Sequence, residues 1–237
     1  MKIAAFFSGG KDSTYAIYLA KKLGHDLSCL ITAKPHSAES KILHHPNINL
    51  TSLQAKSIGV PHLVSKVGLE NESDLVKSML NKAVSKYGIK GVVHGGIASV
   101  YQKRWFDAVC DFADVKPIGP VWGAKPVQYM SSLLYSKFSF MITAVSAGGL
   151  DESWLGCKID QKSLKRLCIL SAKHGFNLNF EGGEAETLVL DCPLFSRPLC
   201  IGKAKSVWDG YRGIFEIEEA YLGDHARGSK DKPAGCY

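Results

Sequence analysis

Two glycines flanked by serines stand near the start of the chain, directly after a short apolar run at residues 3–7. Behind them, apolar residues recur with the i, i+3, i+4, i+7 spacing of a helix with one buried face, opening at Ser13. Glycines let a backbone turn tightly, and a helix N-terminus presents N–H groups and a positive dipole end to an anion. The pattern predicts a phosphate-binding segment, here called the phosphate loop, formed by Ser8, Gly9, Gly10, Lys11, Asp12 and Ser13.

The spacing within the phosphate loop excludes two common nucleotide motifs. A Walker A loop needs a glycine five residues before Gly10, and that position holds Ala5. The G-x-G-x-x-G pattern does not fit either. Ser-Gly-Gly-x-Asp-Ser instead resembles the PP-loop of ATP pyrophosphatases. That resemblance implies a loop that grips the leaving pyrophosphate of ATP, with Lys11 as a point cation that offsets its charge.

Length and composition indicate a folded protein with an anionic partner. The chain has 237 residues, of which 46% are hydrophobic and 22% are charged, so a disordered chain is not expected. A formal net charge of +7 favours a nucleotide, an RNA or an acidic protein surface as partner, and a solvated basic surface is the alternative. No run of Lys and Arg reaches the density of a nucleic-acid-binding tail, and we expect no nucleic acid partner.

The cysteines and the apolar runs indicate the cellular compartment in which we expect the protein. The seven cysteines are odd in number and form no C-x-x-C pair, which fits free thiols in a reducing compartment. The N-terminal apolar run ends at the phosphate loop, so it is not a signal peptide. The uncharged stretch at residues 138–150 is too short to span a membrane. We therefore expect a cytoplasmic protein without a membrane attachment.

The first half of the chain alternates strand-like and helix-like segments. This alternation predicts an α/β fold with a parallel doubly wound sheet and ligands at the carboxyl ends of its strands. Gly95 and Gly96 follow a strand, as the glycines of the phosphate loop do, so we expect both turns at one edge of the sheet. His94 is expected to be a core histidine. The predicted strands cover residues 3–7, 26–32, 62–65, 91–94 and 115–121, and the helices cover residues 13–23, 50–58, 74–87 and 100–113.

The pattern changes near Lys125 and Pro126, which form a plausible linker. We predict a PP-loop ATP-binding domain over residues 1–125 and a smaller α+β substrate-binding domain over residues 126–237. The smaller domain should have no nucleotide loop of its own. Helices are predicted at residues 127–135 and 163–174, a strand at residues 138–146, and several short extended segments towards the end.

Three carboxylates and two glycines lie close together just before a second apolar run. Such a cluster is unfavourable without a purpose, because like charges repel and glycines loosen the backbone. The cluster could coordinate Mg²⁺, bind a cationic substrate or supply a general base. The alternative is a solvated acidic turn. We call this stretch the acidic segment, and its candidate residues are Glu181, Gly182, Gly183, Glu184, Glu186 and Thr187.

The phosphate loop and the acidic segment together are similar to those of the diphthine–ammonia ligase family. The resemblance continues, in the family's order, through residues 44–47, 95–102, 120–123 and 149–156. Three departures stand out. Ala185 stands where the family usually has an aromatic residue, Cys192 where it usually has glycine, and Gly96 where Ala or Asp is commoner.

The resemblance implies an ATP-dependent, AMP-forming amide ligase. It would adenylate the carboxylate of diphthine, a modified histidine of elongation factor 2, and ammonia from ammonium would replace AMP to give diphthamide. The implied catalytic residues are Lys11, Asp12, Glu184 and Glu186, with Mg²⁺ held by Asp12. ATP would be bound by the phosphate loop with Thr32, Gly95, Gly96, Tyr101 and Gln102, and the trimethylammonium group of diphthine by His45 and the acidic segment.

Two other functions stay open from the sequence. A PP-loop enzyme that activates a tRNA base or a small metabolite would share the phosphate loop, although no C-x-x-C pair is present for sulfur relay. A regulatory module that senses ATP without turnover would need the phosphate loop alone, whereas the acidic segment is intact as well. Whether the chain forms a homo-oligomer is not decided by the sequence.

Overall fold

The computed structural model describes residues 1–35, 47–67, 72–146 and 148–224 of the chain. The chain forms two compact units, and each unit is made of three separate segments of the sequence. The first unit contains Met1–Ser8, Asp12–Ala55 and Gly59–Ala124, and the second contains Gly9–Lys11, Lys56–Ile58 and Lys125–Tyr237. The middle of the phosphate loop therefore belongs to the second unit. The division into domains at residues 125 and 126 stays a prediction.

The first unit is built on a parallel five-stranded sheet in the order β3-β2-β1-β4-β5. Strands and helices alternate along the chain, as expected for a doubly wound sheet, and the predicted α/β class is confirmed. The elements are β1 (Lys2–Phe6), α1 (Lys11–Lys22), β2 (Asp26–Pro35), α2 (Thr51–Ile58), β3 (His62–Val67), α3 (Glu72–Tyr87), β4 (Gly91–Val93), α4 (Val100–Phe112) and β5 (Lys116–Ile118).

Apolar periodicity explains how these elements pack. In α3, the buried residues Val76, Met79, Leu80 and Ala83 follow the i, i+3, i+4, i+7 spacing of one helix face. That face joins a core cluster with the buried residues of β1, β2 and β4. In the described part of the chain, no helix combines the length and the apolarity needed to cross a membrane.

Helix α1 begins at Lys11, two residues before the start predicted at Ser13. The reason is the backbone at Gly9, whose φ of 80° completes the turn early and lets the helix start directly after Gly10. Lys11 and Asp12 therefore lie in the first helical turn and not in a loop that precedes the helix. Strand β5 is shorter than predicted, because residues 120–123 form a turn.

The second unit has a four-stranded sheet in the order β7-β6-β9-β8, and its strand pairs are antiparallel. Its helices and antiparallel sheet confirm the predicted α+β class. The elements are α5 (Pro126–Tyr135), β6 (Ser139–Val145), α6 (Gln161–His174), β7 (Ala185–Asp191), β8 (Leu199–Trp208) and β9 (Gly213–Leu222).

Strands β8 and β9 form a hairpin that is longer than the short extended segments predicted for this part of the chain. Both strands have 10 residues, and much of their surface is exposed. Cross-strand ion pairs join Lys203 to Glu218 at 2.7 Å and Lys205 to Glu216 at 3.1 Å. Charged residues thus interrupt the apolar pattern that would have marked two long strands in the sequence.

Candidate active site

The order of the parallel strands fixes where a ligand should bind in the first unit. Strand β1 pairs with β2 on one side and with β4 on the other, and Ala5 stands opposite Val93. The strand order reverses between β1 and β4, and ligands of open α/β sheets bind outside the carboxyl ends of the strands at such a reversal. The phosphate loop follows β1 there, and the turn that contains Gly95 and Gly96 follows β4.

The turn after β4 approaches the start of α1 so closely that a side chain does not fit between them. A Cβ atom placed on Gly95 would lie 2.6 Å from the carbonyl carbon of Asp12 and 2.6 Å from the backbone nitrogen of Ser13. Real Cβ contacts are essentially never this short, and glycine permits the close approach because it has no Cβ. The structure therefore brings Gly95 together with Asp12 and Ser13, as the sequence predicts.

Two hydroxyl groups fasten the ends of the phosphate loop to each other. The backbone N–H of Ser8 donates to Ser13 Oγ at 3.3 Å, and the two Oγ atoms lie 3.1 Å apart. Ser13 is buried and Asp12 is partly buried. Because the positive end of the helix dipole lies at the first turn, the start of α1 suits a phosphate.

The middle of the phosphate loop is bound within the second unit by strand β7. The N–H of Lys11 donates to Thr187 Oγ1 at 3.2 Å, and the N–H of Val189 donates to the carbonyl of Gly9 at 3.0 Å. The end of the acidic segment thus lies directly beside residues 9–11. Thr187, predicted to bind substrate, is buried and supports the loop backbone.

The side chain of Lys11 is buried and hydrogen-bonded to another residue of the protein. It is 1% exposed, and its Nζ donates to the carbonyl of Asn179 at 2.7 Å. The ammonium also lies 5.2 Å from the ring centroid of Phe180, within the range of a cation–π contact. Lys11 was predicted to offset pyrophosphate charge. That role stays a prediction, and the structure gives the ammonium a carbonyl partner.

Glu184 organises the acidic segment. Its carboxylate accepts the N–H of Asn177 at 2.9 Å and the N–H of Gly182 at 2.8 Å, so one side chain closes the loop before β7. Ser146 adds two contacts, donating its N–H to the carbonyl of Glu184 at 2.8 Å and its hydroxyl to the carbonyl of Gly183. Together these hydrogen bonds hold the turn in one conformation.

The other two carboxylates of the acidic segment are placed differently. Glu181 and Glu186 are partly buried, and Glu186 lies on β7 opposite Ala144 of β6. Among the residues that the structure describes, no three His, Cys, Asp or Glu side chains are grouped to hold a metal ion. The three glutamates of the acidic segment are therefore not grouped as the ligands of one metal ion.

The remaining predicted site residues differ in their burial and in their hydrogen bonds. Thr32 is 1% exposed, and its hydroxyl donates to the carbonyl of Phe7 at 2.6 Å. Gln102 lies in the first turn of α4, where its N–H donates to the side chain of Ser99 at 3.3 Å, and its neighbour Tyr101 is 68% exposed. His45 lies outside the described residues.

His94 is a core histidine, as predicted, and it supports the turn after β4. It is 3% exposed and stacks on Phe106 with the ring centroids 4.3 Å apart. Its Nδ1 accepts the N–H of Gly96 at 3.3 Å. Burial lowers the pKa of His94 to about 4. The ring is therefore neutral at pH 7, with its proton on Nε2.

Sequence reasoning passed over Asn177 and Asn179, which the structure places beside the predicted residues. Asn177 Oδ1 accepts the N–H of Asn179 at 2.9 Å, a local turn in which an asparagine side chain bonds to the backbone two residues on. Phe180 follows with a φ of 63°, a left-handed conformation that is unusual for an aromatic residue. The Asn-x-Asn spacing before the acidic segment was the available signal.

Two family models match the chain in order. The model of the diphthamide synthase N-terminal domain matches residues 1–117, and that of the C-terminal domain matches residues 125–222. The diphthine–ammonia ligase of Homo sapiens is 28% identical over 231 residues, which covers 87% of this chain and 85% of that protein. The chain belongs to the diphthine–ammonia ligase family. The resemblance found in the sequence is thereby confirmed.

Other diphthine–ammonia ligases match over similar parts of the chain. The protein of Mus musculus is 29% identical, covering 87% of this chain and 85% of its own length. That of Saccharomyces cerevisiae is 29% identical and covers 82% of this chain, but the match spans 33% of the yeast protein. A solved structure, a predicted subunit of tRNA methyltransferase from Methanocaldococcus jannaschii, is 18% identical with a TM-score of 0.42, covering 81% of this chain and 98% of that one.

A methyl group at position 95 tests the close approach of the two turns. Gly95→Ala should weaken ATP binding about tenfold, because overpacking of about 1–3 kcal/mol would displace the start of α1. Isothermal titration calorimetry with ATP measures the effect. Gly148→Ala is the matched control, since a Cβ there has nothing within 4 Å. Equal affinities of the two variants would show that the turn after β4 does not border the nucleotide.

The depressed pKa of His94 predicts a loss of stability in mild acid. Between the folded pKa of about 4 and the unfolded value of 6.5, the unfolded chain binds more protons, so the free energy of unfolding falls as the pH falls. From pH 7 to pH 5 this histidine should account for about 2 kcal/mol of that loss. His94→Asn keeps an acceptor for Gly96 and removes the titration. Urea unfolding should then show a smaller pH dependence, and an unchanged dependence would contradict a neutral, buried His94.

Proposed function

We propose that this protein is a diphthine–ammonia ligase that completes diphthamide on elongation factor 2. The diphthine carboxylate would attack the α phosphorus of ATP, releasing pyrophosphate and forming an acyl adenylate. Ammonia would then attack the acyl carbon, and AMP would leave with the electrons of the carbon–oxygen bond. Family membership supports the reaction. The observation that carries the site is the approach of Gly95 to the backbone of Asp12 and Ser13 at the strand reversal.

The phosphate loop has the features needed to bind the β and γ phosphates, which leave as pyrophosphate. The start of α1 offers the positive end of a helix dipole at a fixed position. The hydroxyls of Ser8 and Ser13 hold the loop closed, so little reorganisation is needed when the charge on the leaving group develops. Positioning and electrostatic stabilisation would supply most of the rate enhancement, since adenylation already provides a good leaving group.

The donor set near the phosphate loop fits Mg²⁺ bound together with ATP. Asp12 places a carboxylate in the first turn of α1, where bound polyphosphate would repel it without a cation. Mg²⁺ in nucleotide sites commonly uses one or two carboxylates and takes its other ligands from phosphates and water. Asp12 would therefore hold the ion. When bound, the ion would neutralise negative charge on the phosphates.

We assign different roles to the glutamates of the acidic segment. Glu184 positions the segment, because both carboxylate oxygens accept backbone N–H groups. Glu181 and Glu186 would attract the trimethylammonium group, which has no N–H to donate and is recognised by charge and by aromatic faces. Glu186 is also a candidate to accept a proton from ammonium, since ammonia attacks only in its neutral form.

The substrate protein and ammonium are the proposed partners, in the cytoplasm. The cysteines support this location, because Cys29, Cys110 and Cys192 are buried free thiols. Burial raises the pKa of Cys29 to about 11 and those of Cys110 and Cys192 to about 12. Such thiols are packing residues of a reducing compartment.

The reaction is tested by mixing the protein with ATP, ammonium and elongation factor 2 that carries diphthine. We expect AMP, pyrophosphate and diphthamide in equal amounts, and none with elongation factor 2 that lacks diphthine. Asp12→Asn should lower kcat roughly 100-fold, since it removes a charge from the phosphate site. Asp26→Asn, at an exposed residue, is the control. Formation of ADP, or full activity of the Asp12 variant, would contradict the proposal.

Charge removal on β7 separates substrate recognition from nucleotide binding. Glu186→Gln should raise the KM for diphthine-bearing elongation factor 2 about tenfold, as expected for a lost charge contact of about 1–2 kcal/mol. The Kd for ATP should stay within twofold. Glu216→Gln on the exposed hairpin provides a control with the same chemical change. A loss of ATP affinity in the Glu186 variant would instead place this carboxylate at the nucleotide.

A further inference from the structure

A chain of hydrogen bonds crosses three strands of the first unit and ends at the residue before the phosphate loop. Thr32 Oγ1, in β2, lies 2.6 Å from the carbonyl oxygen of Phe7 and 2.7 Å from Nε2 of His62 at the start of β3. Phe7 directly precedes Ser8. Neither distance allows a bridging water, so the three groups bond to one another directly.

Counting hydrogens fixes the direction of this chain. The Phe7 carbonyl can only accept, so the single hydroxyl hydrogen of Thr32 is donated to it. Thr32 Oγ1 must then accept from His62, and Nε2 of His62 carries a proton. Burial, with a smaller effect of Lys34, lowers the pKa of His62 to about 4. At pH 7 the ring is therefore the neutral tautomer with its hydrogen on Nε2.

The carbonyl at the end of the chain belongs to the same peptide plane as the N–H of Ser8. A peptide unit is planar, so fixing its C=O direction also fixes the direction of its N–H. That N–H donates to Ser13 Oγ and fastens the phosphate loop. Phe7 is held from its other side as well, because its N–H donates to the carbonyl of Ile31 at 2.9 Å. The position of the first loop residue thus depends on Thr32 and, through Thr32, on His62.

We propose that His62 is a positioning residue of the nucleotide site, acting through Thr32 and the Phe7–Ser8 peptide on the phosphate loop. This inference rests on the proposed function in one respect, that the loop binds ATP. Thr32, which the sequence suggests as a direct ATP-binding residue, acts indirectly in this series of hydrogen bonds. Its hydroxyl hydrogen is donated to Phe7. His62 was not predicted from the sequence, where it is one of eight histidines.

Paired substitutions separate the effect of the hydrogen bond from the effect of side-chain bulk. His62→Leu removes the donor and His62→Gln keeps an N–H donor; Thr32→Val removes the hydroxyl and Thr32→Ser keeps it. Calorimetry with ATP should show about tenfold weaker binding for His62→Leu and Thr32→Val, as expected for one buried hydrogen bond. His62→Gln and Thr32→Ser should bind within about threefold of wild type. His174→Gln, at an exposed histidine of α6, is the control.

A double-mutant cycle tests whether the two residues act in series. If His62 works through Thr32, the variant His62→Leu/Thr32→Val should bind ATP about as weakly as Thr32→Val alone. Additive losses of ATP affinity would show that the two residues act independently, and would overturn the proposed route from His62 through Thr32. Equal binding by wild type and by a folded His62→Leu variant would overturn the role of His62 and leave the proposed function standing. A wild-type chain that does not bind ATP would overturn the proposed function together with this role.

The ring itself provides a test that does not depend on ATP binding or on the His62→Leu and Thr32→Val variants. Long-range ¹⁵N–¹H correlation spectra of the ¹⁵N-histidine-labelled wild-type protein report which ring nitrogen carries the proton. The His62 signals, assigned by their absence in His62→Gln, should show a protonated Nε2 and an unprotonated Nδ1 at pH 7. A proton on Nδ1 with an unprotonated Nε2 would reverse the donor and overturn the proposal.

Discussion

The close approach of Gly95 to the backbone of Asp12 and Ser13 is the constraint on which the proposed nucleotide site depends. It holds only if β1 and β4 are neighbours and if position 95 has no side chain. The alternation of strands and helices satisfies the first condition. Glycine at position 95 satisfies the second. His94 orients the turn, because its Nδ1 accepts the N–H of Gly96. One steric requirement thus links the strand order to the chemistry at the start of α1.

Several polar residues that the sequence suggests for catalysis or for ATP binding make hydrogen bonds that position the backbone. Lys11 donates to Asn179, Glu184 closes its own loop, and Thr32 holds Phe7. This pattern follows from burial: a charged or hydroxyl group near a dry site must be hydrogen-bonded to be stable there. The positive end of α1 and the side chains of Asp12, Glu181 and Glu186 are then the groups proposed to act on the ligands.

The architecture could be predicted because local patterns carried it. The period of apolar residues marked α3, and the glycine pairs after β1 and β4 marked the turns. The alternation of strands and helices implied a parallel sheet. The partners of Lys11 and Thr32 could not be predicted, since both depend on contacts between residues far apart in sequence. A buried lysine and a phosphate-binding lysine look the same in a sequence. The long β8–β9 hairpin was missed for a different reason, because exposed strands with charged residues lack an apolar period.

The bonds between residues 9–11 and β7 also affect the order in which the protein can fold. The N–H of Lys11 finds its acceptor 176 residues further along the chain, and its ammonium finds Asn179 after 168 residues. Contacts of such separation form late, because a long loop must close before they contribute. During synthesis on the ribosome, the phosphate loop emerges before Asn179 and Thr187. It acquires these partners only after most of the chain has followed.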